Sequence, residues 1–221
     1  ASERLRHKGR AVSPWDYEHL VLERFPDVSK AKCLPNTEIG SYPDEARGEV
    51  LLVVVPRLRP PSADRWRPEF FSGLELEEIR QELQALAPAS ARVTVRNPVY
   101  EELQVRCRVK LRGGIRRGQR LDRINRALVD DLAPWRAEGR GGRFGWVVRE
   151  KDVAAMLYGL PFVDFVTDVS LLHVSEDKNR PGDYYRRDTA RVFEPTARPH
   201  LSPASVRRRS TGPGAPWVRV E

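Results

Sequence analysis

The residues whose types could do chemistry are few and scattered. The four histidines are His7, His19, His173 and His200. His7 and His200 stand in terminal segments, His19 falls on the polar side of a predicted helix, and His173 ends a predicted strand. A hydrolytic centre needs a nucleophile beside a base, paired carboxylates in a cleft, or a metal set. No HExxH, GxSxG or Walker A spacing occurs, and no Cys and His residues cluster. Asp164 and Asp168 would share one face of a strand, but a hard cation needs further oxygen ligands, and none is identified. Residues 138–145, EGRGGRFG, are rich in glycine and arginine. A backbone phosphate cradle requires a strand before such a loop and a helix directly after it, and neither is predicted here. The segment also has the look of a single RGG repeat, but its simplest reading is a mobile loop. Cys33 and Cys107 lie in predicted strands without CxxC spacing, so they read as small buried hydrophobes rather than ligands or a disulfide. No catalytic, cofactor-binding or metal-binding residue is assigned, and the expectation is a protein that is not an enzyme.

Composition sets the wider frame. The 221 residues can hold one large domain or two small ones; 40% are hydrophobic and 32% charged. That balance suggests modest cores with much wet or partner-facing surface. No run approaches the ~20 apolar residues of a membrane span, and the start of the chain lacks the apolar core of a signal peptide, so a soluble protein is expected. The chain opens on Ala1 and its single methionine is Met156, which suggests a piece of a longer or processed polypeptide. The net charge of +8 and pI near 9.9 raise nucleic acid as a partner. However, the cations are mostly arginine, with six lysines, and are spread along the whole chain. Charge alone does not decide the partner.

The elements that would position these residues begin at 9–35. Ser13 is a suitable N-cap, Pro14 fits the first helical position, and Asp16 can close a capping box at the positive helix end. Tyr17, Leu20, Val21 and Phe25 form one apolar face, leaving Glu18, His19, Glu23 and Arg24 to water. Pro26 stops the helix, and residues 28–34 read as a strand. Residues 35–48 are punctuated as a loop. Residues 49–55, EVLLVVV, read as a central strand covered on both faces. An exposed Pro- and Arg-rich connection over 57–73 leads to a helix over 74–86, with Leu76, Ile79, Leu83 and Leu86 inward. Val93 and Val95 alternate in a strand over 92–96.

Residues 100–112 have the cleanest period of two. Leu103, Val105, Cys107, Val109 and Leu111 point one way, while Glu102, Gln104, Arg106, Arg108, Lys110 and Arg112 point the other. The charged face could bind an acidic partner, although a solvated antiparallel face is the simpler reading. A helix over 119–132 offers Leu121, Ile124, Leu128, Val129 and Leu132. An edge strand over 146–148, a helix over 151–160 and a long strand over 162–174 follow. In the last, Val163, Phe165, Thr167, Val169 and Leu171 are expected on one face. From Ser175 the periodicity ends. The tail cannot form its own core, yet its aromatic residues would be wasteful in a solvated linker.

The reading is an α+β fold: two small α/β sandwich-like modules, 1–98 and 99–175, and an extended C-terminal arm over 176–221 that orders by lying on another surface, its own or a partner's. Trp15, Tyr184, Tyr185, Phe193, Arg207, Arg208, Arg209 and Trp217 are the residues expected at a partner interface.

The run GRAVSPWDYEHLVLERFPDVSKAKCLPN, then GEVLLVVVP, a Leu/Glu-rich helix, VTVRNPVYEELQVRCRVKLR and LPFVDFVTDVSLL resembles the baseplate J-like family. These proteins form baseplate wedges in contractile phage tails and in extracellular contractile injection systems of the antifeeding prophage type. The resemblance covers most of residues 10–174. It implies a structural protein with no catalytic residues or cofactors, joined to other wedge subunits, including copies of itself, and to hub, spike and sheath proteins. It implies assembly in the bacterial cytoplasm within a particle that can be released. Family members are usually longer at the N-terminus, so Ala1 is expected to open a C-terminal portion. An Arg-rich nucleic-acid-binding module is the second reading, and its affinity would fall steeply with salt.

Overall fold

The computed structural model describes residues 7, 9–37, 46–57, 69–112, 117–133, 144, 147–177, 180–188, 192–193, 204–206 and 219–220; at 101–102, 117–118 and from 175 onward it describes the backbone alone. It is an α+β chain that divides into two compact units, Ala1–Pro98 and Val99–Glu221.

In the first unit, helix α1 (Pro14–Arg24) leads into strand β1 (Val28–Pro35). Strand β2 (Glu49–Pro56), helix α2 (Gly73–Leu86) and strand β3 (Arg92–Arg96) follow. The sheet order is β1-β2-β3, with β2 antiparallel to β1 and parallel to β3. The EVLLVVV run is indeed the central strand, buried on both faces from Val50 to Pro56. Val50, Leu52 and Val54 form one core with Tyr17 and Val21 of α1, Ile79 and Leu83 of α2, and Val93 and Val95 of β3. Both helices start in reciprocal capping boxes, Ser13 with Asp16 and Ser72 with Glu75. Each box satisfies orphan N–H groups at a helix start, which fixes where the helix begins. The 35–48 and 57–73 connections fall largely outside the described residues.

Helix side chains also close this sheet's edges. Glu18 was expected in water, but its carboxylate accepts from the Cys33 N–H at 3.0 Å and pairs with Lys32 at 3.2 Å. The Gln84 amide accepts from the Val93 N–H at 2.9 Å and donates to the Ala91 carbonyl at 2.8 Å. Asn97 makes the same two-way contact with the Phe71 backbone, at 2.9 and 2.8 Å. The Glu18 and Gln84 contacts satisfy backbone groups that an open strand edge would present to another chain, while Asn97 joins the end of β3 to the connection before α2.

The second unit is built on β4 (Glu101–Leu111) and β6 (Val163–Asp177), an antiparallel pair. Between them come helix α3 (Arg117–Leu132), the two-residue strand β5 (Val148–Arg149) and helix α4 (Glu150–Tyr158). Leu103, Val105, Cys107 and Val109 are buried, as are Ile124, Leu128, Val129 and Leu132 of α3 and Val153 and Leu157 of α4. The tail's described segments are strands of this unit. Strand β7 (Arg180–Asp188) pairs with β6, β8 (Val192–Phe193) with β5, and both β9 (Ala204–Val206) and β10 (Arg219–Val220) lie parallel to β4.

Two expectations about this sheet need correction. Gln104, assigned to the wet face, is only 3% exposed and sits opposite the buried Leu172. The face Val163–Phe165–Thr167–Val169–Leu171 does not exist as one face. The pairing with β4 shifts twice, between Arg106 and Arg108 and between Lys110 and Leu111, with an extra β6 residue at each step. Each bulge inverts the alternation. Asp168 takes a positive φ of 51° within the first of them. Val163 and Leu171 therefore stay buried, whereas Phe165 is half exposed opposite Lys110.

Candidate partner interface

The opening helix carries a second, outward stripe. Trp15, His19 and Leu22 recur at spacings of four and three along one side of α1, and Val12 lies just before its N-cap. Trp15 and His19 stack with ring centroids 3.7 Å apart and planes 23° from parallel, and His19 Nδ1 lies 3.0 Å from the Trp15 carbonyl. Val12 is 54% exposed and Leu22 39%. A cleft of about 260 Å³ lies here, bordered by Gly9, Arg10, Trp15, His19, Leu22 and Glu23. Sequence reasoning singled out Trp15 and passed over Val12 and Leu22. The signal was present as a second apolar repeat beside the Tyr17–Val21 core face.

The root of this stripe is fixed by Asp16, which is 4% exposed. Its Oδ2 accepts from the Ser13 N–H at 2.7 Å, the Ser13 hydroxyl at 2.9 Å and the Val12 N–H at 3.1 Å. His7 Nδ1 stands 2.7 Å from the same oxygen. Burial on its own raises the pKa of this carboxyl, but the hydrogen bonds from Ser13, Val12 and His7 outweigh it and hold the group below its ordinary value. His7, which carried no role in the sequence, thus ties the incoming chain to α1.

The outward face of β4 and β6 is the second candidate surface. Arg106, Arg108, Lys110 and Arg112 are exposed. Asp168 lies 3.2 Å from Arg108, and Asp164 lies 3.5 Å from Lys110 and 3.9 Å from Arg112. The two acids considered for a cation therefore serve as counter-charges to strand cations. Among the described residues, no group of three or more His, Cys, Asp or Glu could hold a metal ion. Burial pushes the Cys33 thiol up to about 12 and the Cys107 thiol to about 11, which leaves both unreactive at neutral pH.

Of the residues expected at an interface, Trp15 is half-buried on α1. Tyr184 and Tyr185 lie in β7, at register positions opposite Glu176 and Ser175, and Phe193 in β8 opposite Val148. Arg207, Arg208, Arg209 and Trp217 lie outside the described residues, as do His200 and all of the 138–145 loop except Phe144. No described helix is long and apolar enough to cross a membrane.

The family model "Baseplate protein PVC11-like" matches residues 1–184. The chain belongs to this family of PVC11-like baseplate proteins. Its fold is similar to that of a chain in a solved structure, "Cryo-EM structure of the anti-feeding prophage (AFP) baseplate, 6-fold symmetrised". The TM-score is 0.63 at 18% identity, over 94% of this chain and 40% of that one. This chain thus spans well under half the length of the one it resembles. No curated protein matches the sequence. The motif resemblance pointed to a baseplate protein, and the family match agrees at that level.

Proposed function

We propose that this PVC11-like protein is a structural wedge component of the baseplate of a contractile injection system, akin to the baseplate J-like proteins, without enzymatic activity. It would link the central spike and hub to the sheath and rearrange on contraction. The observation that carries the reading is the family match over residues 1–184, supported by the fold shared with a baseplate chain. Two small α+β units with exposed apolar and basic surfaces suit a scaffold that makes many modest contacts, because contacts in a closed ring reinforce one another. Trp15, Tyr184, Tyr185, Phe193, Arg207, Arg208, Arg209 and Trp217 are the proposed contact residues. The segment 176–221, whose described strands pair within the second unit, acts as an arm that presents its aromatic and arginine residues to a neighbouring subunit, and assembly takes place in the bacterial cytoplasm before release of the particle.

Deleting the gene tests the role: complete sheathed particles should be lost, and intact ones would refute it. Limited proteolysis tests the arm. Cleavage near Arg207 should be slower in assembled particles than in the isolated chain, and equal rates would remove the arm's ordering role.

A further inference from the structure

We propose that the outward face of β4 and β6 docks an extended acidic segment of a neighbouring baseplate protein. This rests on the baseplate role, but its chemistry is read from the face itself. Arg106, Arg108 and Lys110 occupy alternate positions on one side of β4, so their bases are spaced at about 6.7 Å per step. Arg112 prolongs the row, and the register of β10 brings Arg219 beside Arg108. Three β4 cations and Arg112 just beyond its end face two β6 carboxylates, and the side chains of Arg108, Lys110 and Arg112 remain 53%, 69% and 63% exposed. An extended peptide with acids at alternate positions repeats at the same spacing and can meet each cation in turn. Arginine suits this contact because its planar fork takes a carboxylate through two parallel hydrogen bonds.

Two further features select a protein over a nucleic acid. Phe165 is 50% exposed directly opposite Lys110, an apolar surface with no role in a wet face but suited to a side chain between the acids. Asp164 and Asp168 stand within 4 Å of three of the four cations, so a continuous phosphate backbone would pass over two fixed negative charges. A protein segment can place a neutral or basic residue there. The two β6 bulges create this pattern, since they turn Phe165 outward among the cations.

The test uses the full chain and a fluorescent peptide of alternating Glu and Val, followed by anisotropy. The face variant is Arg106→Glu, Arg108→Glu and Lys110→Glu. The control variant, Arg96→Glu, Arg123→Glu and Arg126→Glu, makes the same change in net charge at other exposed positions. The face variant should bind about 30-fold more weakly than wild type and the control no more than about threefold. Circular dichroism checks the fold, and a milder variant with Gln at the same three face positions, together with Phe165→Ser, repeats the measurement if the charge reversal unfolds the chain. Equal loss in face and control variants overturns the proposal. So does a single-stranded oligonucleotide that binds more tightly than the peptide and loses its affinity only in the face variant.

In cells, the face variant should be missing from particles that contain the wild-type chain. Its incorporation at the wild-type level would overturn the docking surface while leaving the baseplate role intact. Absence of the wild-type chain from particles would overturn that role, while the peptide titration would still report on the face.

Discussion

Replacing Asp16 with alanine should be among the most damaging single changes in the first unit, although the residue is polar and sits in the first turn of a helix. Its Oδ2 accepts from two backbone N–H groups, the Ser13 hydroxyl and His7, all within 2.7 to 3.1 Å. Alanine would leave the Val12 and Ser13 N–H groups without their acceptor and break half of the capping box. A hydrogen bond to a charged group contributes about 1.5–3 kcal/mol, and a lost cap about 1 kcal/mol. These contributions share one oxygen and do not add in full, so the expected loss is about 3 kcal/mol. For a unit of this size that corresponds to a fall in Tm of roughly 12–24 °C. Asp16→Asn, which keeps an acceptor without the charge, should lose about half as much.

The pH dependence separates this account from a loss of packing. The folded-state pKa of Asp16 lies below the ordinary 3.8, so its charge contributes in full above that value and is lost as the pH falls through the lower folded value. Urea melts of wild type and Asp16→Ala should differ by about 3 kcal/mol near pH 7, and the gap should narrow as the pH falls below the ordinary 3.8 and through the lowered folded value. A gap that stays the same across this range would refute the electrostatic reasoning.

Leu83→Ala should destabilise the first unit by about 3 kcal/mol in urea melts, because Leu83 is fully buried, whereas Leu74→Ala, at an 85% exposed position, should change stability by less than about 0.5 kcal/mol. Gly48→Ala should cost more than about 1 kcal/mol in the same assay, since φ is +83° there and an added Cβ would lie 2.9 Å from the Ser90 carbonyl oxygen. Cys33 and Cys107 should resist a thiol reagent near neutral pH in the folded chain and react at once in denaturant, because burial raises both thiols to about 12 and about 11.

What the sequence made legible was what local chemistry decides. Ser13, Pro14 and Asp16 specify a helix start whatever surrounds them, and the Val-rich run at 49–55 has no stable place except a sheet interior. The faces of β6 were not legible, because alternation assumes unbroken pairing. The bulges at 164 and 168–169 depend on how β4 and β6 align, and one extra residue reverses every assignment beyond it. Gln104 was misplaced for a related reason: it faces Leu172 at an end of the sheet that is buried on its second side too. Of the interface, Trp15 stood out by its type, but the basic face drew notice only as a charged strand. Its aromatic centre, Phe165, is placed by unbroken alternation on the same face as Val163 and Leu171, both of which are buried.

The strand edges bear on how such a protein can meet its neighbours. In the first unit, Glu18 satisfies the Cys33 N–H, and Gln84 satisfies Val93 and Ala91. In the second, β4 is flanked on one side by β6 and on the other by β9 and β10, while β6 has β7 beyond it. Backbone pairing, the least selective route to association, is thereby reduced at these positions. Side-chain surfaces remain, and they differ in chemistry: a Trp–His stack on α1 between exposed Val12, just before the helix, and Leu22, and a cation row with one aromatic on β4 and β6. Surfaces of different chemistry can each reject the other's partner, since an acidic segment gains nothing from an apolar stripe and an apolar partner would desolvate the cations at a cost. A ring assembled from many contacts needs that discrimination more than it needs strength in any single one, because geometry multiplies weak contacts while a wrong pairing blocks closure.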